Sequence, residues 1–227
     1  AAMLVPQIGT KTPIFGRRST TMIMLFVTTM ALFLTYSRTA MTAFLTSMTF
    51  IATIRYRKLF WVIAATILVT SFLPWSQQYV SHFIDAITGQ DLATSMRFGE
   101  YKDALILISR YPVFGVGFGG TPDADIYLGV SSAYLLLAEQ VGLIGLSSFV
   151  IVIATVFIWG MRHRVYALTD NGLASQWLSI YGALLATTII GVFDHYFVNL
   201  EFQSSQTCFW VIVGLALAVT RISQELK

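Results

Sequence analysis

Residues 96–120 read MRFGEYKDALILISRYPVFGVGFGG, and residues 133–145 read AYLLLAEQVGLIG. The first segment carries a dense set of charges and glycines, and the second opens a long apolar run that contains Glu139. The rest of the chain consists mostly of continuous apolar runs, near the length of about 20 residues that a helix needs to cross a bilayer. We therefore expect a membrane scaffold that holds these two segments at one face of a bilayer.

The composition is typical of an integral membrane protein. Hydrophobic residues make up 56% of the 227 residues and charged residues only 11%, whereas a soluble domain carries about 25% charged residues. Because the apolar runs are continuous rather than alternating, they predict helices and not a β-barrel. The net charge is only +3 and the basic residues lie at the ends of apolar runs, which indicates no nucleic-acid partner.

Six apolar runs are candidates for membrane spans. They cover residues 19–36, 39–54, 59–75, 132–159, 177–193 and 205–220. We therefore predict an all-α fold, a polytopic bundle of about six transmembrane helices that forms a single membrane domain over residues 1–227. The chain opens AAMLVP, without an initiator methionine or a signal-peptide pattern, so we expect it to be the C-terminal part of a longer protein.

The distribution of charge predicts the orientation of the bundle. Ten of the fourteen basic residues, but only two of the eleven acidic ones, lie in residues 1–18, 55–58, 160–173 and 221–227. Cytoplasmic loops of membrane proteins carry an excess of lysine and arginine, so these segments are predicted to be cytoplasmic. Both ends of the chain would then lie inside the cell, and residues 76–131 would form an extracytoplasmic loop.

The extracytoplasmic loop contains a predicted helix and a predicted turn. From Arg97 onward, apolar residues recur with helical spacing, which predicts an amphipathic helix along the membrane surface. Its apolar positions are Phe98, Tyr101, Ala104, Leu105 and Ile108. Pro112 is expected to end this helix. Glycine permits positive φ, so a flexible turn is predicted at Gly115, Gly117 and Gly119.

Polar residues near the outer ends of the predicted spans are candidate site residues. Arg38 follows the first span and either anchors to lipid headgroups or marks a functional site. Glu139 lies about two turns into the fourth span, a depth at which an acid usually faces a cavity or a partner. Asp194 and His195 follow the fifth span, as either an interfacial hydrogen-bonded pair or an acid/base group active at neutral pH. The sequence has no ligand spacing typical of a metal site, so no metal is expected.

Four short motifs occur in an order that resembles the O-antigen ligase and polymerase superfamily of bacterial membrane glycosyltransferases. They are YSRTA at 36–40, R-x3-Y-x2-A at 97–104, YPVFGVGFGG at 111–120 and AYLLLAEQVGLIGL at 133–146. The resemblance implies transfer of a glycan from an undecaprenyl-diphosphate carrier to a glycan or lipid-linked acceptor, as in lipopolysaccharide synthesis. It also implies a location in the bacterial inner membrane, a reaction at the outer face, and no cofactor or metal.

The resemblance implies roles for individual residues. Arg38 and Arg97 would hold the lipid diphosphate, a role suited to guanidinium groups because they bind phosphate bidentately and stay charged. The helix from Arg97, with Tyr101 and the glycine turn, would lie over the site as a lid that adjusts to long substrates.

The resemblance leaves open which residue would act as the general base that takes the proton of the acceptor hydroxyl group. Many family members have His-Asn shortly before the tyrosine that corresponds to Tyr134, and that histidine is proposed to activate the acceptor hydroxyl. This chain has Ser131 and Ser132 at those places, and a serine does not act as a base at neutral pH without help. Either this protein has a different activity, or its base is elsewhere, with these candidates: His195, Asp194 and Glu139.

A membrane transporter is the alternative function. Some relatives of this family have been described as inorganic carbon transporters, and Glu139 with Arg38 could line a pathway for that or another small solute. Transport would predict charged residues distributed through the membrane depth. Here no apolar run has a charged residue near its middle, which favours the enzyme.

Overall fold

Helices and the loops between them make up the part of the chain that a computed structural model describes, which comprises residues 1–9, 17–72, 92–119, 129–200 and 202–225. No strand occurs within these ranges, so the predicted all-α class is confirmed. Two short 3-10 helices, Ala2–Leu4 and Pro6–Gly9, open the chain. The α-helices of the same ranges are α1 Arg18–Leu34, α2 Arg38–Ile54, α3 Arg57–Phe72, α4 Leu92–Arg110, α5 Ala133–Ala167, α6 Asn171–Phe193 and α7 Gln203–Glu225.

Three of these helices are long and apolar enough to cross a membrane. They are α5, α6 and α7, with 35, 23 and 23 residues. The helices α1, α2 and α3 form where the first three spans were predicted, but they have only 17, 17 and 16 residues. At 1.5 Å per residue each is about 25 Å long, somewhat less than a hydrocarbon core of about 30 Å. The number of six spans therefore stays a prediction, and the predicted end of the third span at residue 75 lies outside the described residues.

The chain divides into two compact units. Unit 1 comprises Ala1–Ile51, Ser148–Ile190 and Leu200–Lys227. Unit 2 comprises Ala52–Ser147 and Gly191–Asn199. The assignment of residues 1–227 to one membrane domain stays a prediction.

Tyr181 of α6 is the centre of the core of unit 1. Its ring stacks on Trp177 with a centroid distance of 4.6 Å, and both side chains are fully buried. Its hydroxyl group forms a hydrogen bond with Thr220 Oγ1 of α7 at 2.7 Å. Gly160 of α5 leaves room for this ring, because a Cβ atom at that position would collide with it. One aromatic side chain thus holds α5, α6 and α7 together in this unit.

Unit 2 contains the helix that was predicted in the extracytoplasmic loop. Helix α4 covers the predicted residues and ends just before Pro112. Ala104 of α4 packs in a small buried cluster with Val130 and Leu136, whereas Phe98 and Leu105 are 58% and 59% exposed. The predicted apolar positions are therefore divided between the core of the unit and its surface. The position of α4 along a membrane surface stays a prediction.

Candidate functional site

Arg97 and Asp194 form an ion pair in unit 2. Arg97 lies in the second turn of α4, and Asp194 directly follows the last residue of α6. The guanidinium Nη2 atom is 3.7 Å from the Asp194 Oδ1 atom. The two side chains are 36% and 19% exposed, so water and ligands can reach the pair. An exposed pair of this kind contributes about 1 kcal/mol or less to stability, and its charges can therefore exchange partners.

The surroundings of Asp194 act on its charge in opposite directions. Burial raises the pKa of the Asp194 carboxyl group above its usual value, and electrostatic interactions with Arg97 and with the neighbouring His195 act to lower it. The Asp194 backbone is also fixed, because its carbonyl oxygen accepts a hydrogen bond from the Ala133 N–H group at 3.2 Å. The first residue of α5 and the acid after α6 are thus held together.

His195 belongs to a tight turn beside Asp194. Its carbonyl oxygen accepts hydrogen bonds from the N–H groups of Val198 at 3.1 Å and Asn199 at 3.0 Å. Its ring lies 5.5 Å from the ring of Tyr196, measured between centroids. An imidazole group is therefore held next to the Arg97–Asp194 pair by a hydrogen-bonded turn.

Helix α4 holds Ser131 in place through two hydrogen bonds. The Ser131 N–H group donates to Glu100 Oε2 at 2.9 Å, and the Tyr101 hydroxyl group donates to the Ser131 carbonyl oxygen at 3.2 Å. Burial raises the pKa of Tyr101, with Arg97 acting against this and two acids adding to it. Ser131 therefore contacts two α4 residues that lie within about one helical turn of Arg97. These contacts of Ser131 with Glu100 and Tyr101 were not predicted from the sequence.

Glu139 is a buried acid inside a candidate membrane span. Its side chain is 1% exposed, and neither carboxylate oxygen has a hydrogen-bond partner among the residues that the structure describes. It lies within electrostatic reach of two other acids, Asp103 and Glu100, both on α4. Burying an acid without a partner costs free energy, and such residues in membranes usually mark functional sites.

Helix α5 is interrupted at Gly142, which the sequence analysis did not anticipate. Gly142 has φ 71° and ψ −177°, and these non-helical values separate two helical halves. The sequence indicated one span over residues 132–159, and its apolar run gave no boundary at Gly142. A Cβ atom at Gly142 would collide with the backbone of Val113 and Phe114, which belong to the loop after α4. An isolated glycine in an apolar run is compatible with an uninterrupted helix and with a break in the helix, so the sequence alone does not distinguish the two.

The glycine-rich turn packs against this interruption. Gly115 and Gly117 have φ values of 68° and 84°, which agrees with the predicted positive φ. Three backbone hydrogen bonds join the turn to α5: Val116 N–H to Glu139 O at 2.7 Å, Gly117 N–H to Gln140 O at 2.9 Å, and Leu143 N–H to Pro112 O at 2.8 Å. Gly119 lies in open space, with no atom within 4 Å of a Cβ added there. The turn is thus fastened along residues 112–117.

Arg38 belongs to unit 1, where it is the first residue of α2. Tyr36 precedes it with φ 51°, in the left-handed region that residues other than glycine rarely adopt. The Ser37 Oγ atom accepts a hydrogen bond from the Ala40 N–H group at 3.3 Å, which caps the helix. The segment YSRTA therefore forms a constrained turn that presents Arg38 at the start of α2.

An apolar cavity of about 840 Å³ lies in unit 1, further along the same helix. Small and apolar side chains line it on α2 and α6, among them Ala40, Ala43, Phe44, Ile180 and Ala183. The α2 residues begin two positions after Arg38. A cation at the start of α2 is thus followed by an apolar space inside the same unit.

A metal site does not emerge from the described residues. Within them, no group of three or more histidine, cysteine, aspartate or glutamate side chains is arranged to hold a metal ion.

Comparison with known proteins identifies the family. The sequence model of the family described as O-antigen ligase matches residues 23–150, which is more than half of the chain. The matched segment contains Arg38, Arg97, Glu139 and the glycine-rich turn, whereas Asp194 and His195 follow it. No curated protein matches the chain. Together with its apolar helices, the match shows that this chain is a multi-pass bacterial membrane protein that belongs to the O-antigen ligase family.

Proposed function

We propose that the protein transfers a glycan from an undecaprenyl-diphosphate carrier to a sugar hydroxyl group, as a ligase or polymerase that acts at the outer face of the inner membrane. The observation that carries this proposal is the Arg97–Asp194 pair, with Nη2 and Oδ1 3.7 Å apart and His195 next in the chain. It supplies a cation for a leaving diphosphate and an acid/base group for an acceptor hydroxyl within one site. The family match supports the same class of reaction and gives the transport alternative no support.

Exchange of partners by Arg97 would couple donor binding to activation of the base. A diphosphate offers the guanidinium group several charged oxygens and bidentate geometry, which a single carboxylate oxygen at 3.7 Å does not. When Arg97 turns to the diphosphate, Asp194 loses a positive charge that lowers its pKa. The affinity of Asp194 for a proton therefore rises in the complex in which the acceptor hydroxyl group must lose one.

The reaction can be written with all bonds accounted for. The acceptor oxygen attacks the anomeric carbon of the donor, and the bond between that carbon and the diphosphate oxygen breaks. The electron pair of this bond leaves with the diphosphate, whose charge Arg97 and Arg38 would stabilise. The proton of the acceptor passes to Asp194 or His195, with Glu139 as the third candidate. No metal or cofactor takes part in this proposal.

Arg38 would contribute a second cation to the carrier diphosphate. It lies at the start of α2, and the apolar cavity begins two residues further along that helix. A carrier whose diphosphate binds at Arg38 could place its polyprenyl tail along this apolar surface. Helix α4, including Tyr101, and the turn of Gly115, Gly117 and Gly119 would cover the reacting groups.

The proposed topology places this chemistry outside the cytoplasm. The four basic segments, residues 1–18, 55–58, 160–173 and 221–227, would be cytoplasmic, as would both ends of the chain, and residues 76–131 would lie outside. The donor and acceptor would then meet at the outer face of the plasma membrane, where a lipid-linked glycan can reach the site from the bilayer.

The proposal is tested by removing the cation at position 97. Arg97→Ala in the full-length protein should abolish glycan transfer in cells that lack the wild-type copy, while membrane levels of the protein stay unchanged. Lys102→Ala is the matched control, since it removes one positive charge from an exposed position on the same helix. Normal transfer by the Arg97→Ala protein would refute the role of the ion pair in catalysis.

A further inference from the structure

We propose that Gly115 and Gly142 act as positioning residues, by locking residues 112–117 against the interruption of α5 and so fixing the place of Glu139. This set of contacts is called the glycine interlock below. The inference rests on the proposed function for its activity measurement only, since the contacts themselves are independent of the reaction.

The interruption of α5 has a conformation that only glycine adopts readily. The values φ 71° and ψ −177° at Gly142 lie in a region that is essentially restricted to glycine. In an uninterrupted helix the Leu143 N–H group would donate to the Glu139 carbonyl oxygen, four residues earlier. The interruption removes this bond, and free backbone groups within a membrane protein must find other partners.

The glycine-rich turn supplies those partners at the same two atoms. The Glu139 carbonyl oxygen accepts from the Val116 N–H group at 2.7 Å, and the Leu143 N–H group donates to the Pro112 carbonyl oxygen at 2.8 Å. Both halves of the lost helical bond are therefore replaced by one loop. The Gln140 carbonyl oxygen is satisfied in the same way, by the N–H group of Gly117 at 2.9 Å.

The two glycines permit each other's backbone to approach. A Cβ atom at Gly142 would collide with the Val113 carbonyl group, and a Cβ atom at Gly115 would collide with the Glu139 carbonyl oxygen. These obstacles are backbone atoms, which cannot turn aside as the end of a long side chain can. The contact between the turn and α5 therefore excludes a side chain at one position on each side, Gly115 in the turn and Gly142 in α5.

The glycine interlock restricts the position of Glu139. Its carbonyl oxygen is held by the interlock, and its side chain is 1% exposed without a hydrogen-bond partner among the described residues. The loop that holds it continues directly from α4, which carries Arg97 as well as the two acids within electrostatic reach of Glu139. The interlock therefore fixes a buried carboxyl group relative to the helix that carries the cation of the site.

Accessibility of position 139 tests the interlock without any glycan. Cys208→Ser first removes the exposed native thiol, and Glu139→Cys then places a thiol at the buried position. We expect this thiol to react slowly with a small maleimide in the otherwise unchanged protein. Adding Gly142→Ala or Gly115→Ala should speed the reaction about tenfold or more, because local opening governs the labelling of a buried group. Gly99→Ala on α4 is the control and should change nothing, since a Cβ atom there meets no atom within 4 Å.

A cross-link tests the interlock in a protein that keeps both glycines. Val113→Cys and Leu143→Cys place thiols on two exposed side chains, on backbone segments that the Pro112–Leu143 hydrogen bond joins. In the Cys208→Ser background we expect a disulfide to form, and the oxidised and reduced proteins to transfer glycan at the same rate. A turn that must leave α5 during each reaction cycle would instead give an oxidised protein that regains transfer only on reduction.

The outcomes separate this inference from the proposed function. Faster labelling in Gly142→Ala, with transfer lowered at least tenfold in the same substitution on the native Glu139 background, supports it. Unchanged labelling, or absence of the cross-link, overturns the interlock. Faster labelling with normal transfer overturns the positioning role of the two glycines. Absence of transfer by the unsubstituted protein refutes the proposed function and leaves the labelling and cross-linking results to decide on the interlock.

Discussion

Arg97→Ala should have a small effect on the stability of the protein and a large effect on its rate of glycan transfer. The Nη2–Oδ1 distance is 3.7 Å, and the side chains are 36% and 19% exposed. Pairs with such exposure contribute about 1 kcal/mol or less to the free energy of unfolding. For a chain of this size that is a shift in Tm of about 2–4 °C. Arg97→Ala should therefore leave a folded protein.

The loss of transfer by the same variant should be much larger. Removing one group that stabilises developing negative charge costs about 2.7–4 kcal/mol, or 10²–10³ in rate. We expect Arg97→Ala to lower transfer by at least this factor, since it removes a full charge. The assay pairs thermal unfolding of the purified full-length protein with rates of glycan transfer, for Arg97→Ala, Asp194→Asn and the double variant. A coupling energy of about 3 kcal/mol or more in unfolding, with a loss of transfer no larger than the loss of folded protein, would show that the pair is structural.

Three further predictions follow from the same structure. Burial raises the pKa of Asp194, so the folded protein binds a proton more readily than the unfolded chain and the free energy of unfolding should fall as pH rises above the ordinary value of 3.8. Asp194→Asn should weaken that slope in pH-dependent denaturation, and an unchanged slope would assign it to other groups. Glu139→Gln keeps the size of the side chain, so membrane levels should be retained while transfer falls about 10²-fold or more if Glu139 handles the acceptor proton; normal transfer would exclude it as the base. Gly160→Ala should destabilise the protein by about 1–3 kcal/mol, because the added methyl group collides with Tyr181, and an unchanged Tm would contradict the packing described for unit 1.

The helical scaffold was largely predictable from the sequence. Continuous apolar runs predicted all-α structure, and α1, α2 and α3 begin within two residues of the predicted spans. Charge near the ends of these runs marked their boundaries. The first three apolar runs were themselves short, with 18, 16 and 17 residues, and the helices α1 and α2 have 17 residues each.

The interruption of α5 was not predictable, because its cause lies elsewhere in the chain. A glycine such as Gly142 looks the same in sequence whether it packs against a helix or breaks one. The difference depends on a loop about 25 residues earlier, whose N–H and C=O groups replace the lost helical bonds. Only the coincidence of this glycine with a positive-φ turn at Gly115 and Gly117 distinguishes the two cases.

The candidate site was predictable as a set of residues but not as an arrangement. Arg97 and Asp194 were both expected to be functional, from motif order and from their positions near span ends. Their ion pair joins residues on different helices, far apart in sequence, and only tertiary packing brings them together. The contacts of Ser131 with Glu100 and Tyr101 likewise join residues about 30 positions apart, and only tertiary packing brings them together.

The most direct test of the central claim is bond cleavage by the purified full-length protein. The protein would be placed in liposomes with an undecaprenyl-diphosphate-linked glycan and a sugar acceptor, and both products would be quantified by mass spectrometry. We predict one undecaprenyl diphosphate released for each acceptor that gains a glycan, and loss of both products with Arg97→Ala but not with Lys102→Ala. Liposomes that move a solute while the donor stays intact, or products that persist without Arg97, would contradict the account.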